Sequence, residues 1–118
     1  MLEALLWLSL NVYHEGRNLD QLDQIAIAHV TINRSKNRKL PIKKVVLQPY
    51  QFSWTNQKED YYPHEENAFD ECVESALVAL KGYDFTGGAT HYHRVDIIPE
   101  WTNRLQYTRT YGSHILYK

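Results

Sequence analysis

Gly87-Gly88-Ala89-Thr90-His91-Tyr92-His93-Arg94-Val95 is where the chain changes character. The two glycines suit a tight turn, and no Gly-Lys-Ser/Thr pattern follows to make them a phosphate loop. From Ala89 to Val95 aromatic and β-branched residues alternate with polar ones, which predicts a strand. The same pattern returns in Gln106-Tyr107-Thr108-Arg109-Thr110-Tyr111 and in His114-Ile115-Leu116-Tyr117. Three short strands of a small antiparallel sheet follow from this, with Pro99 and Trp101 in the loop after the first.

Upstream the period is helical. Leu2, Leu5, Leu6, Leu8, Leu10, Val12 and Tyr13 predict a first helix to about His14, ended by Gly16. Asp20 is placed to cap a second helix through about Ser35, with Leu22, Ile25, Ala26, His29 and Ile32 as its inward stripe and His29 as a core histidine. A short helix carries Ile42, Val45 and Val46 and stops at Pro49, and Thr55 to Glu66, with Pro63 inside, reads as a surface loop. Ala68, Phe69, Cys72, Val73, Ala76, Leu77 and Leu80 predict a helix over 65–81, closed by Gly82. Helices first and strands last is an α+β order. At 118 residues the chain is expected to be one domain over 1–118.

Composition excludes several function classes. A net charge of −1 argues against a nucleic-acid binder held by phosphate electrostatics, and Arg34-Ser35-Lys36-Asn37-Arg38-Lys39 reads as a solvated turn. Nine Tyr and three Trp suit a cleft that stacks on sugars as well as a core. The one cysteine, Cys72, falls on the apolar side of its helix and reads as a buried thiol. The start of the chain has no basic n-region and only a short apolar run, so neither a signal peptide nor membrane insertion is expected.

The chemistry centres on Asn11-Val12-Tyr13-His14-Glu15-Gly16-Arg17. Glu15 ends an apolar helix, where desolvation and the carbonyl end of the helix both disfavour its charged form and raise its pKa toward the range of a general acid. The competing reading is a surface glutamate fraying beside Gly16. Four further segments stand out: Asn33-Arg34, Gln51-Phe52-Ser53-Trp54, Gly87 to His93, and Gly112-Ser113-His114. Read alone, Asn33 and Arg34 anchor a helix end. Gln51 and Ser53 beside Phe52 and Trp54 fit either a turn or a surface that recognises N-acetyl groups and stacks on sugars.

Together and in this order, from Tyr13 to Tyr117, these segments resemble the cell wall hydrolases of the spore-cortex-lytic (SleB-type) family. The resemblance implies a small lysozyme-like α+β domain acting on bacterial peptidoglycan without a cofactor or metal, with Glu15 as catalytic acid. It implies that Gln51, Phe52 and Ser53 line the sugar groove and that His91, Tyr92 and His93 face it from the sheet, with Trp54 in the groove loop and Tyr13 and His114 close by. The chain departs from the family turn after Glu15, where Gly16-Arg17-Asn18-Leu19 lacks a second acidic residue. A bare catalytic unit of this kind fits a monomeric phage lysis protein, cytoplasmic until a holin opens the membrane, and fits a piece of a spore enzyme as well.

Glycoside cleavage needs an acid and a group that stabilises the oxocarbenium-like centre, usually a second carboxylate. Asp84, Asp96 and Glu100 read as solvated, so no second carboxylate is evident. A muramic acid substrate offers its own acetamido group and 6-hydroxyl instead, which favours a lytic transglycosylase leaving a 1,6-anhydro product over a hydrolase. Two rivals remain at this stage. His91 and His93, joined by His114 and Glu15, would make a zinc site for a peptidoglycan amidase or peptidase; a non-catalytic wall-binding module would use the aromatics alone.

Overall fold

The computed structural model describes residues 2–48, 52–57 and 60–118. Five helices, α1 (Leu2–Gly16), α2 (Gln21–Arg38), α3 (Ile42–Leu47), α4 (Ser53–Gln57) and α5 (Glu66–Lys81), precede three strands, β1 (His91–Arg94), β2 (Tyr107–Tyr111) and β3 (His114–Tyr117). The α+β order is therefore as the sequence predicts. The differences are local. Ser53 to Gln57 form a helical turn where a surface loop is predicted from Thr55, and Glu100–Arg104, around Trp101, is a turn of 3-10 helix. Pro49 lies outside the described residues.

The helices gather around α1 and α2. Leu8, Val12, Ile27, Ala28, Val45, Val46, Cys72 and Ala76 form one buried cluster shared by α1, α2, α3 and α5. Each large side chain so buried contributes about 1.5–3 kcal/mol. Burial pushes the Cys72 thiol up to about 11, so it is an inert part of that core. The buried face of α2 is wider than the expected stripe, of which Ala26, His29 and Ile32 are buried as predicted. Leu22 is 52% exposed, whereas Asp23, Ile27, Val30 and Arg34 are buried. The reason is that α2 is covered on one side by α1 and α5 and on another by the sheet, so polar residues near its ends are buried along with apolar ones.

Buried polar groups are matched. Asn11 Nδ2 donates to Thr31 Oγ1 at 3.1 Å, and Asn11 Oδ1 accepts from Trp54 Nε1 at 2.8 Å. One asparagine thereby ties α1, α2 and α4 together, as a buried amide must if it is not to lose its hydrogen bonds to water. The run from Arg34 to Lys39 is the last turn of α2 and its left-handed cap at Lys39, with Leu40 N–H donating to Ser35 O at 3.1 Å. Arg34 is buried and not part of a solvated turn.

The sheet has strand order β1-β3-β2, antiparallel throughout, so the strand latest in sequence lies in the middle. The register pairs Tyr92 with Leu116 and Arg94 with His114 across β1 and β3, and His91 with Tyr117. Strand alternation puts Tyr92, His114 and Leu116 on the face toward α2, where Leu116 packs with Ala26, Val30 and Ala89. His91, His93 and Tyr117 fall on the opposite face, covered by Trp101. The turn joining β2 to β3 needs a glycine at residue 112: its φ is +53°, and a Cβ there would lie 2.4 Å from Asp23 Oδ2. Among the described residues no helix is long and apolar enough to cross a membrane.

Candidate active site

Glu15 stands in the last turn of α1, one residue before its end. That end is pinned from α2: Gln24 Nε2 donates to Gly16 O at 2.9 Å, and Gln24 Oε1 accepts from Ser75 Oγ of α5 at 2.8 Å. The carboxylate therefore projects from a fixed backbone toward the sheet. Across 77 residues of sequence, Tyr92 Oη donates a 2.5 Å hydrogen bond to Glu15 Oε1. Among the described residues Oε2 has no hydrogen-bond partner, which makes it the oxygen able to carry a transferable proton.

Electrostatics at Glu15 pull in two directions. Burial raises its pKa, while the Tyr92 hydrogen bond and the nearby charges of His114 and Arg34 lower it, and burial prevails. The phenol of Tyr92 is itself pushed well above its ordinary value, by burial and by the adjacent carboxylate, so it remains a donor. Arg34 is held by a hydrogen bond from its Nε to Thr90 O at 2.5 Å, with its guanidinium 5.0 Å from the Phe52 ring centroid. Asn33 Nδ2 donates to Asp84 Oδ2 and to Ala89 O, both at 2.9 Å. The Asn-Arg pair thus anchors the start of β1 to α2.

The predicted site residues are dispersed. Tyr92 and His114 join Glu15: the Tyr92 and His114 rings meet edge to face at 5.1 Å. His91 and His93 do not face Glu15, because neighbours of Tyr92 in a strand point the other way. His93 Nε2 pairs with Tyr117 Oη at 2.9 Å and its Nδ1 with Arg94 O at 2.7 Å, and His91 Nδ1 pairs with Thr90 Oγ1 at 2.9 Å. Burial, with Arg34 and Arg38 nearby, pushes His91 down to about 4.

Phe52 and Trp54 are 3% and 2% exposed, so their rings meet protein and not a sugar. Trp54 stacks on His14 with centroids 4.3 Å apart. Tyr13 is turned to α5, its hydroxyl accepting from Glu65 N–H at 3.0 Å. Ser53 is exposed, and Gln51 lies outside the described residues. The proposed zinc set is split between the two sheet faces, and among the described residues no three His, Cys, Asp or Glu side chains converge to hold a metal ion.

Two acids differ from expectation. Asp84 is not solvated: it accepts from Thr86 N–H and Oγ and from Gly88 N–H as well as from Asn33, bonds that hold its carboxyl below the usual range against the opposing effect of burial. Asp23 is the carboxylate that sequence reasoning missed. It is 4% exposed and its Oδ1 accepts from His114 Nδ1 at 3.0 Å. Its spacing from Ile27, Val30 and Arg34, on one face of α2, is the signal that would have found it.

The family described as Cell Wall Hydrolase matches residues 20–117, a span that begins just after Glu15. Spore cortex-lytic enzymes are similar in sequence: that of Halalkalibacterium halodurans is 30% identical over 107 residues, 88% of this chain and 31% of the relative. That of Bacillus cereus is 29% identical over 110 residues, 91% of this chain and 41% of the relative. The chain thus spans about a third to two fifths of the length of these curated relatives. The catalytic domain of the germination-specific lytic transglycosylase SleB from Bacillus anthracis superposes with a TM-score of 0.81 at 27% identity, covering 98% of this chain and 93% of that one. The catalytic domain of the Bacillus cereus SleB protein superposes with a TM-score of 0.83 at 26% identity, covering 100% and 91%. With its α+β fold shared along nearly its whole length and its family match running from the start of α2 to the end of the sheet, this chain belongs to the cell wall hydrolase family.

Proposed function

We propose that this protein cleaves the glycan strand of bacterial peptidoglycan between N-acetylmuramic acid and N-acetylglucosamine, as a lytic transglycosylase with Glu15 as its one general acid and base. The observation that carries this reading is a carboxyl raised in pKa by burial, bonded through one oxygen to Tyr92 and, among the described residues, without a hydrogen-bond partner at the other. Membership of a cell wall hydrolase family supplies the substrate class, and likeness to a lytic transglycosylase supports the reaction type.

Glu15 Oε2–H protonates the glycosidic oxygen as the bond from C1 of the muramic residue breaks. The carboxylate so formed takes the proton of the 6-hydroxyl as that oxygen bonds to C1, which closes the 1,6-anhydro ring and restores the acid without water. Among the described residues, the two buried or half-buried carboxylates other than Glu15 that could serve a covalent or water-activating route are already bonded. Asp23 is occupied by His114 and Ser113, and Asp84 by Asn33, Thr86 and Gly88. Tyr92 keeps Oε1 occupied, so the proton is gained and lost at Oε2.

Mass spectrometry of fragments released from purified peptidoglycan tests this. Products ending in 1,6-anhydromuramic acid from the wild type and none from Glu15→Gln are expected. Reducing ends would mean that water takes the glycosyl centre, and cut peptides on intact glycan would overturn the glycosidase reading.

A further inference from the structure

Asp23 is a buried carboxylate with no part in the proton transfers at Glu15, yet the fold is built around it. Oδ1 accepts from His114 Nδ1 at 3.0 Å, and Oδ2 accepts from Ser113 N–H at 3.2 Å and Ser113 Oγ at 3.3 Å. Gly112, with its left-handed backbone, leaves room for that second oxygen. An ionised carboxylate only accepts, so the contact with Asp23 Oδ1 places the proton on His114 Nδ1. His114 is 6% exposed and lies edge-on to Tyr92, whose hydroxyl is on Glu15. Asp23, His114, Tyr92 and Glu15 form a continuous line of contacts through α2, β3, β1 and α1.

We propose that Asp23 and His114 are a positioning pair that sets the proton affinity of Glu15 by holding Tyr92 against it. The proposal rests on the reading of Glu15 as acid and base. Among the described residues, the groups facing Glu15 are Tyr92 from β1, His114 from β3 and Arg34 from α2; those facing His114 are Asp23 from α2, Tyr92 from β1 and Glu15 from α1. The Tyr92 hydrogen bond so held opposes the effect of burial and favours ionised Glu15, the state reached once the leaving oxygen has been protonated. Asp23 fixes the tautomer and the orientation of the His114 ring, the part a buried carboxylate plays toward histidine in hydrolytic triads.

The alternative is that the pair merely stitches helix to sheet. Carboxyl carbon-13 titration of Glu15 by NMR separates the two, in the wild type, His114→Gln and Asp23→Asn, with no substrate present. Removing the imidazole that packs on Tyr92, or the carboxylate that holds it, loosens the Tyr92 hydrogen bond and raises the Glu15 midpoint in both variants by about 0.5–1 pH unit. The alkaline limb of peptidoglycan cleavage then moves up by the same amount, and imidazole nitrogen-15 spectra show the Nδ1–H tautomer of His114 in the wild type.

An unchanged Glu15 midpoint in folded His114→Gln overturns the proposal, as does a loss of activity that is equal at every pH. Should Asp23→Asn fail to fold, His114→Gln decides alone. A wild type that cuts no glycan would overturn the assigned reaction, while the titration would still decide the pair.

Discussion

The two faces of the small sheet carry almost the same side chains and do different work. The face toward α2 presents Tyr92 and His114; the outer face presents His91, His93 and Tyr117 under Trp101. On the inner face the polar tips meet carboxylates supplied by the helices, Tyr92 on Glu15 and His114 on Asp23. On the outer face histidine pairs with tyrosine, threonine or backbone, and none of its described histidines bonds a carboxylate. Residue type alone does not mark a site. A phenol or imidazole acquires a chemical role when a buried acid is fixed within hydrogen-bond reach of it, and the helices fix those acids on one side only.

The largest effect that would test this contrast is at the acid itself. Glu15→Gln is expected to lower peptidoglycan cleavage by about 10²–10⁴-fold, the usual contribution of a general acid, in turbidity assays of purified walls. The same substitution should stabilise the fold. A carboxyl with a raised native pKa binds more protons folded than unfolded, so its contribution to stability is fully present below about pH 4.3 and is lost as pH rises through the native value. Melting curves should therefore show Glu15→Gln above the wild type at neutral pH by about 0.5–2 kcal/mol and no gain near pH 4. Equal stability at both pH values would mean that Glu15 is not held in a desolvated position.

Tyr92→Phe comes next. It removes the donor that favours ionised Glu15, so the alkaline limb of activity should rise, while the plateau rate should fall about tenfold because the carboxylate formed as the leaving oxygen is protonated loses its hydrogen bond. The matching change on the outer face, His93→Gln, loses the stack on Tyr117 and the 2.9 Å bond. It should cost about 1 kcal/mol of stability by thermal melting and leave cleavage within about twofold. A fall as deep as that of Tyr92→Phe would erase the distinction between the faces. The smallest effect is expected from His91→Gln, since a histidine pushed down to about 4 is neutral throughout the working range. Its activity profile above about pH 5 should overlie that of the wild type.

The helices and strands were legible because their periods are long and clear: Ala68 to Leu80 can only present one apolar face as a helix, and His114 to Tyr117 alternates as a strand. Glu15 was legible for the same reason, as an acid where an apolar period stops. The face of α2 is harder to read, since a helix covered by helices on one side and a sheet on another buries polar residues too: the run from Arg34 reads as a solvated turn, and nothing but its spacing from Ile27, Val30 and Arg34 marks Asp23. Alternation within β1 separates His91 and His93 from Tyr92, but which side turns toward Glu15 depends on how the sheet lies on α2. That is set by contacts such as Asp23 with Ser113, which are 90 residues apart and have no local signature. Phe52 and Trp54 read as groove residues because nothing local shows that Asn11 captures the indole.

The strand order has a consequence for when the surroundings of Glu15 are assembled during synthesis. Because β3 lies between β1 and β2, a chain synthesised only as far as Tyr111 holds two strands with nothing to join them. The helices can already pack on one another, since their contacts are complete by Lys81. Tyr92, however, has no neighbouring strand to steady it against Glu15 until 114–117 have left the ribosome. The helix that carries Glu15 (Leu2–Gly16) thus long precedes the strand that steadies Tyr92 (His114–Tyr117), and the hydrogen bond between Glu15 and Tyr92 depends on β3 being in place.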